Sequence, residues 1–282
     1  MSAVPQCTWS VAVNNGAALR QWAHGLITAF ADAMGARLAA VRRKPHSAKR
    51  VHAARKSMAR LEAALADLAG IAADAQEMHT RVHALRRRAG KVRDADVLCK
   101  RLDDYDASAG DVECRQIEVL RRALHRRRKR AVRKFLRAAR KSPSHFKIAK
   151  ETSGAPRPIP LTNSTNIGDA NREIIRIRFA ELLEAGPALD GENSEALHAL
   201  RLAAKRLRYA LQRVEGEQLE LSRMGALDQL AKALGAAHDS VVLAKRAAEC
   251  DAPLVAERSR RDRREQIANA RRVWANLMQV AV

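Results

Sequence analysis

The sequence is poor in features typical of membrane proteins, secreted proteins and single-strand nucleic-acid binders. Aromatic residues make up only 3% of its 282 residues, so few side chains offer the stacking platforms that single-strand binders use. The amino terminus has no basic start followed by an apolar stretch, and no segment has the roughly 18 uncharged apolar residues of a membrane span. We therefore expect a cytoplasmic protein without a membrane partner.

Cysteines and catalytic motifs are also scarce. Cys7, Cys99, Cys114 and Cys250 form neither a CxxC pair nor a Cys/His group at zinc-ligand spacing, which predicts free thiols in a reducing compartment. The sequence has no GxxxxGK[ST], GxSxG, HExxH or GxGxxG motif for phosphate, acyl, zinc or dinucleotide chemistry. We expect no catalytic residue, no metal and no cofactor.

Positive charge is what the sequence has in excess. Lys and Arg number 53 against 31 Asp and Glu, which gives a formal net charge of +22. This is far more than solubility requires, so a polyanionic partner is predicted. Nucleic acid, an anionic membrane and a phosphate polymer are the candidates, and the low aromatic content counts against nucleic acid.

Apolar residues recur every three or four positions along most of the chain, which predicts an all-α protein. Residues 1–16 are predicted to be an amino-terminal tail, and residues 142–168, rich in Pro, Ser and Thr, a linker. The predicted helices span residues 17–43, 46–69, 74–89, 94–106, 110–141, 169–185, 192–215, 218–234, 239–249 and 254–279.

The chain contains an internal repeat. The stretch "VHAARKSMARLEAAL" aligns with "LHALRLAAKRLRYAL", so that His52 matches His198 and Arg55 matches Arg201. Farther on, "LRRRAGKVRDADVL" aligns with "LAKALGAAHDSVVL". From the histidine to the aspartate of the second motif, the interval is 42 residues in one copy and 41 in the other. We infer an internal duplication, with a first half at 17–141 and a second at 169–282.

The second motif has a local interpretation. Gly90 and Gly235 suit the left-handed position that ends a helix, and Asp94 and Asp239 suit the N-cap of the next helix. Each motif would then break one helical segment from another. The aspartates could also orient a neighbouring Arg or His.

The first motif of the second copy has a basic edge. At roughly 100° per residue, His198, Arg201, Lys205 and Arg208 fall within an arc of about 80°, while Arg206 projects elsewhere. They span about 15 Å of helix, enough for several phosphates in a row, and flank the core, where side chains can line a groove. The predicted core stripe is Leu197, Leu200, Ala204, Leu207 and Leu211.

The first copy has a broader basic face. It is interrupted at Ala59 and Glu62, where the second copy has Lys205 and Arg208. The two faces are therefore related but unequal. The cations of the first face are Lys49, His52, Arg55, Lys56 and Arg60.

Other interpretations of these residues stay open. His52 and His198 could be core histidines, or they could bind a metal with Asp94 or Asp239, although two histidines in different halves are weak evidence for coordination. The cationic run at residues 121–141 is typical of a solvated helix face.

The two motifs together resemble those of the CHAD family, the conserved histidine α-helical domain. "HALRLAAKRLRY", from His198 to Tyr209, is similar to the family pattern H-x-x-R-x-x-x-[KR]-R-L-R-Y. "LRRRAGKVRDADVL" resembles the family's turn into Arg-Asp-x-Asp-Val, with Gly90, Arg93 and Asp94 in place. The resemblance covers roughly residues 17–282.

The resemblance implies two four-helix bundles related by pseudo-twofold symmetry, with a basic groove or cavity between them that binds inorganic polyphosphate at polyphosphate granules. Lys49 and Lys56 could compensate for the departures in the first copy. Because the acidic ExExK element of fused relatives is absent, we expect a stand-alone, non-catalytic polyphosphate-binding protein. General nucleic-acid binding is the alternative. The implied anion contacts are His52, Arg55, Arg60, Arg93, His198, Arg201, Lys205, Arg206 and Arg208.

Overall fold

The computed structural model describes residues 16–72, 75–141, 166–213 and 218–281. All regular structure in these ranges is helical, which confirms the all-α prediction. Cys7 and most of the predicted tail and linker lie outside them. No helix in the described part of the chain is both long and apolar enough to cross a membrane. The helices are α1 (Gly16–Arg43), α2 (Ala48–Asp67), α3 (Ala75–Asp106), α4 (Asp111–Lys141), α5 (Ile167–Ala185), a 3-10 helix (Gly186–Leu189), α6 (Ser194–Leu211), α7 (Gln218–Glu249) and α8 (Pro253–Ala281).

Two predicted helix breaks are wrong. The segments predicted at 74–89 and 94–106 form the single helix α3. Those predicted at 218–234 and 239–249 form the single helix α7. Each of these helices is 32 residues long, so the second motif of each copy lies in the middle of a long helix.

Gly90 and Gly235 are therefore helix-interior residues, and neither has the positive φ of a left-handed cap. Asp94 and Asp239 likewise lie inside helices and are not N-caps. The sequence pattern suggested a break because glycine costs about 1 kcal/mol relative to alanine within a helix. In the structure each glycine instead lies beside an arginine side chain from another helix. An added Cβ would lie 3.9 Å from Arg55 Nε at Gly90 and 3.4 Å from Arg201 Nε at Gly235.

Other residues set the helix ends. The side-chain oxygens of Ser47, Asn166 and Asn193 accept hydrogen bonds from backbone N–H groups in the first turns of α2, α5 and α6, which satisfies donors that the helix itself leaves unpaired. After α7 the chain reverses at Asp251, whose φ is 53°. Pro253 then begins α8, a position where its missing N–H is not needed.

The chain packs as two compact units. These units differ from the two halves at 17–141 and 169–282, which are defined by sequence similarity and stay a prediction. Unit 1 comprises Met1–Gly90, Val132–Arg178 and Tyr209–Gly216. Unit 2 comprises Lys91–Ala131, Phe179–Arg208 and Glu217–Val282.

Unit 1 contains a buried ionic cluster. The Asp67 carboxylate accepts hydrogen bonds from Arg178 Nε at 2.8 Å and Nη2 at 2.6 Å, and it also pairs with Arg213. All three side chains are buried. Two guanidinium groups share one carboxylate, so removing that carboxylate would leave two buried cations without their anion.

The predicted apolar stripe of α6 is confirmed. All five of its residues are buried, and α6 thereby presents one side to the interior while its basic edge lies beside that side. The predicted start of the helix is close to the observed one, at Ser194. The buried stripe residues are Leu197, Leu200, Ala204, Leu207 and Leu211.

Replacing Gly90 by alanine tests the continuity of α3. In a continuous helix the variant should gain up to about 1 kcal/mol of unfolding free energy, because an added Cβ would lie 3.9 Å from Arg55 Nε, an ordinary contact. Gly235→Ala should gain less, since its Cβ would lie only 3.4 Å from Arg201 Nε. Urea unfolding measures both. A loss of stability in Gly90→Ala would instead indicate a left-handed glycine.

Candidate anion-binding site

The basic edge of α6 has an inner and an outer part. His198 and Arg206 are exposed, so His198 is not a core histidine. Arg206 projects away from the other cations as predicted, and its guanidinium lies 3.8 Å from the Glu181 carboxylate. The inner cations are half-buried beside the apolar stripe, where solvent does not fully surround them: Arg201, Lys205 and Arg208.

Arg201 packs against α7 at Gly235. An alanine Cβ at that position would lie 3.4 Å from Arg201 Nε and 3.8 Å from Cζ, so glycine lets the guanidinium approach the helix backbone. Arg201 Nε is buried and has no hydrogen-bond partner among the described residues. The ring of His198 lies 5.5 Å from the ring of His238, one turn farther along α7. His198 and Arg201 of α6 thus both contact the segment of α7 around Gly235 and His238.

Asp239 lies among the positive charges of unit 2. Burial raises the pKa of its carboxyl above the ordinary value of 3.8, and nearby cations oppose this effect without cancelling it. A carboxylate in this place competes with any external anion for the same positive groups. The opposing groups are Arg201, His238, Arg101 and Arg93.

Arg101 is fixed before any ligand arrives. From α3, its Nη1 donates to the carbonyl oxygen of Ala236 on α7 at 2.9 Å, and its Nη2 donates to Asp262 on α8 at 2.9 Å. The Tyr105 hydroxyl donates to the same Asp262 oxygen at 2.5 Å. These bonds hold three helices together next to Gly235, so the positive charge there needs little reorganisation when an anion binds.

Arg208 is held in place by a carboxylate on α7. Its Nη1 forms an ion pair with Asp228. The Arg208 side chain is only 14% exposed and that of Asp228 is 41% exposed. The pair therefore orients a mostly buried cation by means of a carboxylate that faces solvent.

The basic face of α2 lies in unit 1. His52 and Arg55 are half-buried, and Arg55 Nε is the atom that an added Cβ at Gly90 would approach. This contact matches that of Arg201 with Gly235 in kind, although it is looser. The remaining predicted cations of α2 are exposed: Lys49, Lys56 and Arg60.

Glu62 interrupts this face with a cluster of its own. Its carboxylate lies 2.8 Å from His83 Nδ1 and accepts a hydrogen bond from Arg86 Nη2 at 3.1 Å. His79 Nε2 is 4.0 Å away. All three basic groups come from α3, so the carboxylate ties α2 to α3 within unit 1.

The motif residues His198, Asp94 and Asp239 lie in different surroundings. Asp94 is exposed on α3, and Arg93 is half-buried near Asp239 in unit 2. Across the described ranges, no group of three or more His, Cys, Asp or Glu side chains could hold a metal ion. The cysteines in those ranges are free, and burial raises the pKa of the Cys99 thiol.

The cationic run on α4 is largely a solvated face, as expected. Its apolar side, which includes Leu124, Ala131 and Phe135, is buried. Arg128 turns inward and pairs with the buried carboxylate of Asp96 at 2.5 Å. The exposed cations of the run include Arg126, Arg127, Lys129, Arg130, Arg133 and Lys134.

Sequence reasoning missed three participants in unit 2. Arg101 and Asp228 lie far along the chain from the residues with which they interact, so local spacing gave no signal for them. His238 did have a signal, because it lies three residues after Gly235 and shares a face with it in a continuous helix. The wrongly predicted helix break removed that relationship.

The fold and the site together define an all-helical protein that carries a cluster of half-buried cations. The CHAD domain model matches residues 25–248, and the chain therefore belongs to the CHAD family.

Solved structures share this fold. The crystal structure of the CHAD domain from the plant Ricinus communis is 18% identical, with a TM-score of 0.60, over 99% of this chain and 96% of that chain. PptA from Streptomyces chartreusis is 17% identical, with a TM-score of 0.58, over 87% of this chain and 98% of that chain. Comparison with curated proteins finds no significant match.

Replacing Asp239 by asparagine tests the cost of the buried carboxylate. In the folded state the pKa of Asp239 is raised above its ordinary value of 3.8. The stability that the protonated carboxyl contributes is therefore complete below pH 3.8, and it is lost as the pH rises through the raised pKa. Asp239→Asn should therefore match the natural chain at low pH and exceed its unfolding free energy at pH 7. Urea unfolding at both pH values measures this difference.

The exposed Asp104 of α3 provides the matched control, and Asp104→Asn should show no such gain. If Asp239→Asn were less stable than the natural chain at pH 7, the charged carboxylate would be needed to hold the guanidinium groups in place.

Proposed function

We propose that this chain binds inorganic polyphosphate without transforming it, and that α6 and α7 of unit 2 provide the main contacts. The observation that carries the proposal is the inner basic edge of α6. Arg201, Lys205 and Arg208 emerge from one side of that helix. The Arg201 guanidinium packs beside Gly235 of α7, and that of Arg208 pairs with Asp228 of α7. Membership of the CHAD family supports phosphate polymer as the anion.

The chemistry of the edge suits a linear polyanion. Guanidinium forks bind two phosphate oxygens at once, while an ammonium group acts as a point charge. The distance from His198 to Arg208 is about 15 Å along the helix, which matches several successive phosphates. Because the helices hold the cations before binding, little conformational entropy is lost when the polymer docks.

We also propose that the two halves are copies and that unit 1 adds a weaker contact surface. The contacts of Arg55 with Gly90 and of Arg201 with Gly235 support this, since each arginine comes three residues after its motif histidine and meets its motif glycine. The cations available on α2 for the weaker surface are Lys49, His52, Arg55, Lys56 and Arg60.

Binding alone would be enough to bring the protein to polyphosphate granules in the cytoplasm, and we propose that location. We propose no catalytic step. Asp94 and Asp239, the carboxylates of the second motif, belong to no group of His, Cys, Asp or Glu side chains in the described residues that could hold a metal ion. Asp239 is instead surrounded by cations.

Substitution of the inner edge should weaken binding selectively. The variant Arg201→Gln/Arg208→Gln should lose about tenfold or more in affinity for long-chain polyphosphate, since each lost charge-assisted contact is worth about 1 kcal/mol or more. Isothermal titration at fixed salt measures the change. The control Arg126→Gln/Arg127→Gln removes the same two charges from the exposed face of α4. Equal losses in the two variants would mean that the surface acts only as diffuse charge.

Competition should separate polyphosphate from nucleic acid. Long-chain polyphosphate should displace labelled duplex DNA from the protein at equal phosphate concentration, and its affinity should fall steeply with salt because binding releases counterions. Orthophosphate in the same incubation should stay at background. If polyphosphate failed to displace the DNA, general nucleic-acid binding would be the better description. If orthophosphate were released and Asp94→Asn or Asp239→Asn abolished that release, the chain would be a hydrolase.

A further inference from the structure

Glu62 and Arg208 occupy corresponding positions in the two copies. Glu62 comes ten residues after His52, and Arg208 comes ten residues after His198. Both side chains are 14% exposed. The corresponding position therefore holds a mostly buried acidic side chain, Glu62, in the first copy and a mostly buried basic side chain, Arg208, in the second.

Their partners correspond as well. His83, beside Glu62, comes seven residues before Gly90, and Asp228, the partner of Arg208, comes seven residues before Gly235. The His83 side chain is 44% exposed and that of Asp228 is 41% exposed. In the first copy the acidic residue of the pair, Glu62, comes from the first motif, whereas in the second copy the basic residue, Arg208, does. The positions and exposures of the two pairs are otherwise alike.

The reversed pair of unit 1 is reinforced. Arg86 donates to Glu62 at 3.1 Å from the same helix as His83, and His79 lies at 4.0 Å. The guanidinium of Arg86 is paired with the Glu62 carboxylate, so it is less able to bind an external anion than a cation that faces solvent. Glu62 both places a negative charge beside the basic face and occupies a nearby positive group.

Glu62 also lies on the line that an anion would follow. At roughly 100° per residue, it falls about 20° from Arg55 around α2 and two turns farther along the helix. The exposed cations Lys49, Lys56 and Arg60 fall on the other side of His52, between about 40° and 80° from it. A polymer in contact with His52 and Arg55 would therefore next meet a carboxylate.

We infer that Glu62 ends the polyanion track on α2 after Arg55, so that the longer track on α6 carries most of the bound phosphates. This inference rests on the proposed polyphosphate binding. It makes the chain an asymmetric binder: the second copy has basic residues at all four positions of the track, His198, Arg201, Lys205 and Arg208, whereas the first has them at two, His52 and Arg55.

The chain itself supplies the template for the test. The double variant Glu62→Arg/His83→Asp recreates in unit 1 the Arg208–Asp228 pair of unit 2, and the new Asp lies one turn from Arg86 on α3 and can pair with it. Its affinity for long-chain polyphosphate should rise by about threefold to tenfold, and the slope of log affinity against log salt should steepen by about one phosphate contact.

Two single variants control for charge and folding. Glu77→Gln changes the net charge by +1, as the double variant does with neutral histidine, but acts at a side chain that is 66% exposed and pairs with Arg81 one turn along the same helix. It should leave affinity nearly unchanged. Glu62→Gln keeps the shape of the natural side chain while removing the negative charge, and it should give a smaller gain if the double variant does not fold.

The reciprocal exchange tests the same idea in unit 2. Arg208→Glu/Asp228→His transfers the reversed pair to α6 and α7 and should weaken binding by at least the factor gained in unit 1. Arg126→Gln on the exposed face of α4 has the same net charge change of −1 and should have little effect.

The outcomes separate the inference from the proposed function. If the natural chain binds polyphosphate but neither Glu62 variant gains affinity over Glu77→Gln, the inference is overturned and the proposed function stands. If the natural chain does not bind polyphosphate, both are overturned. Tighter binding with a steeper salt dependence in the Glu62→Arg/His83→Asp variant supports the asymmetric track.

Discussion

Repulsion between like charges is the constraint on which the rest of this structure depends. In a chain with a net charge of +22, burial of an arginine costs least where an acceptor pairs with its guanidinium group. In unit 1 the buried Asp67 serves Arg178 and Arg213. In unit 2 Asp262 and a backbone carbonyl receive Arg101. Carboxylates are thus placed where cations are buried, and most of the remaining positive charge faces solvent.

The carboxylates near the basic edges play a different part. Asp239 is buried among cations, yet burial still raises its pKa, so its charge opposes folding and competes with an external anion. Glu62 is well partnered and holds two helices together, but it interrupts a basic face. Fold stability and anion binding therefore make opposite demands at Glu62, whereas at Asp239 both would be favoured by loss of the negative charge.

Much of the secondary structure followed from periodicity. The predicted bounds of α1, α4 and α8 come within two residues of the observed ones because apolar spacing persists to their ends. The failures were at Gly90 and Gly235, where a local rule about helix ends competed with a distant contact that sequence does not display. The same error hid His238, because a supposed break separated it from the face it shares with Gly235.

The sequence by itself determined the helical class, the excess of cations, the CHAD motifs and the placement of four basic residues beside the core stripe of α6. Those properties depend on composition and on spacing within a few turns of one helix. Only the tertiary structure decided which carboxylate or carbonyl group each inward arginine meets. Arg101 meets Asp262 across 161 residues of chain, and Arg208 meets Asp228 on the next helix. Such pairings arise from packing between helices, and helical spacing within one segment does not encode them.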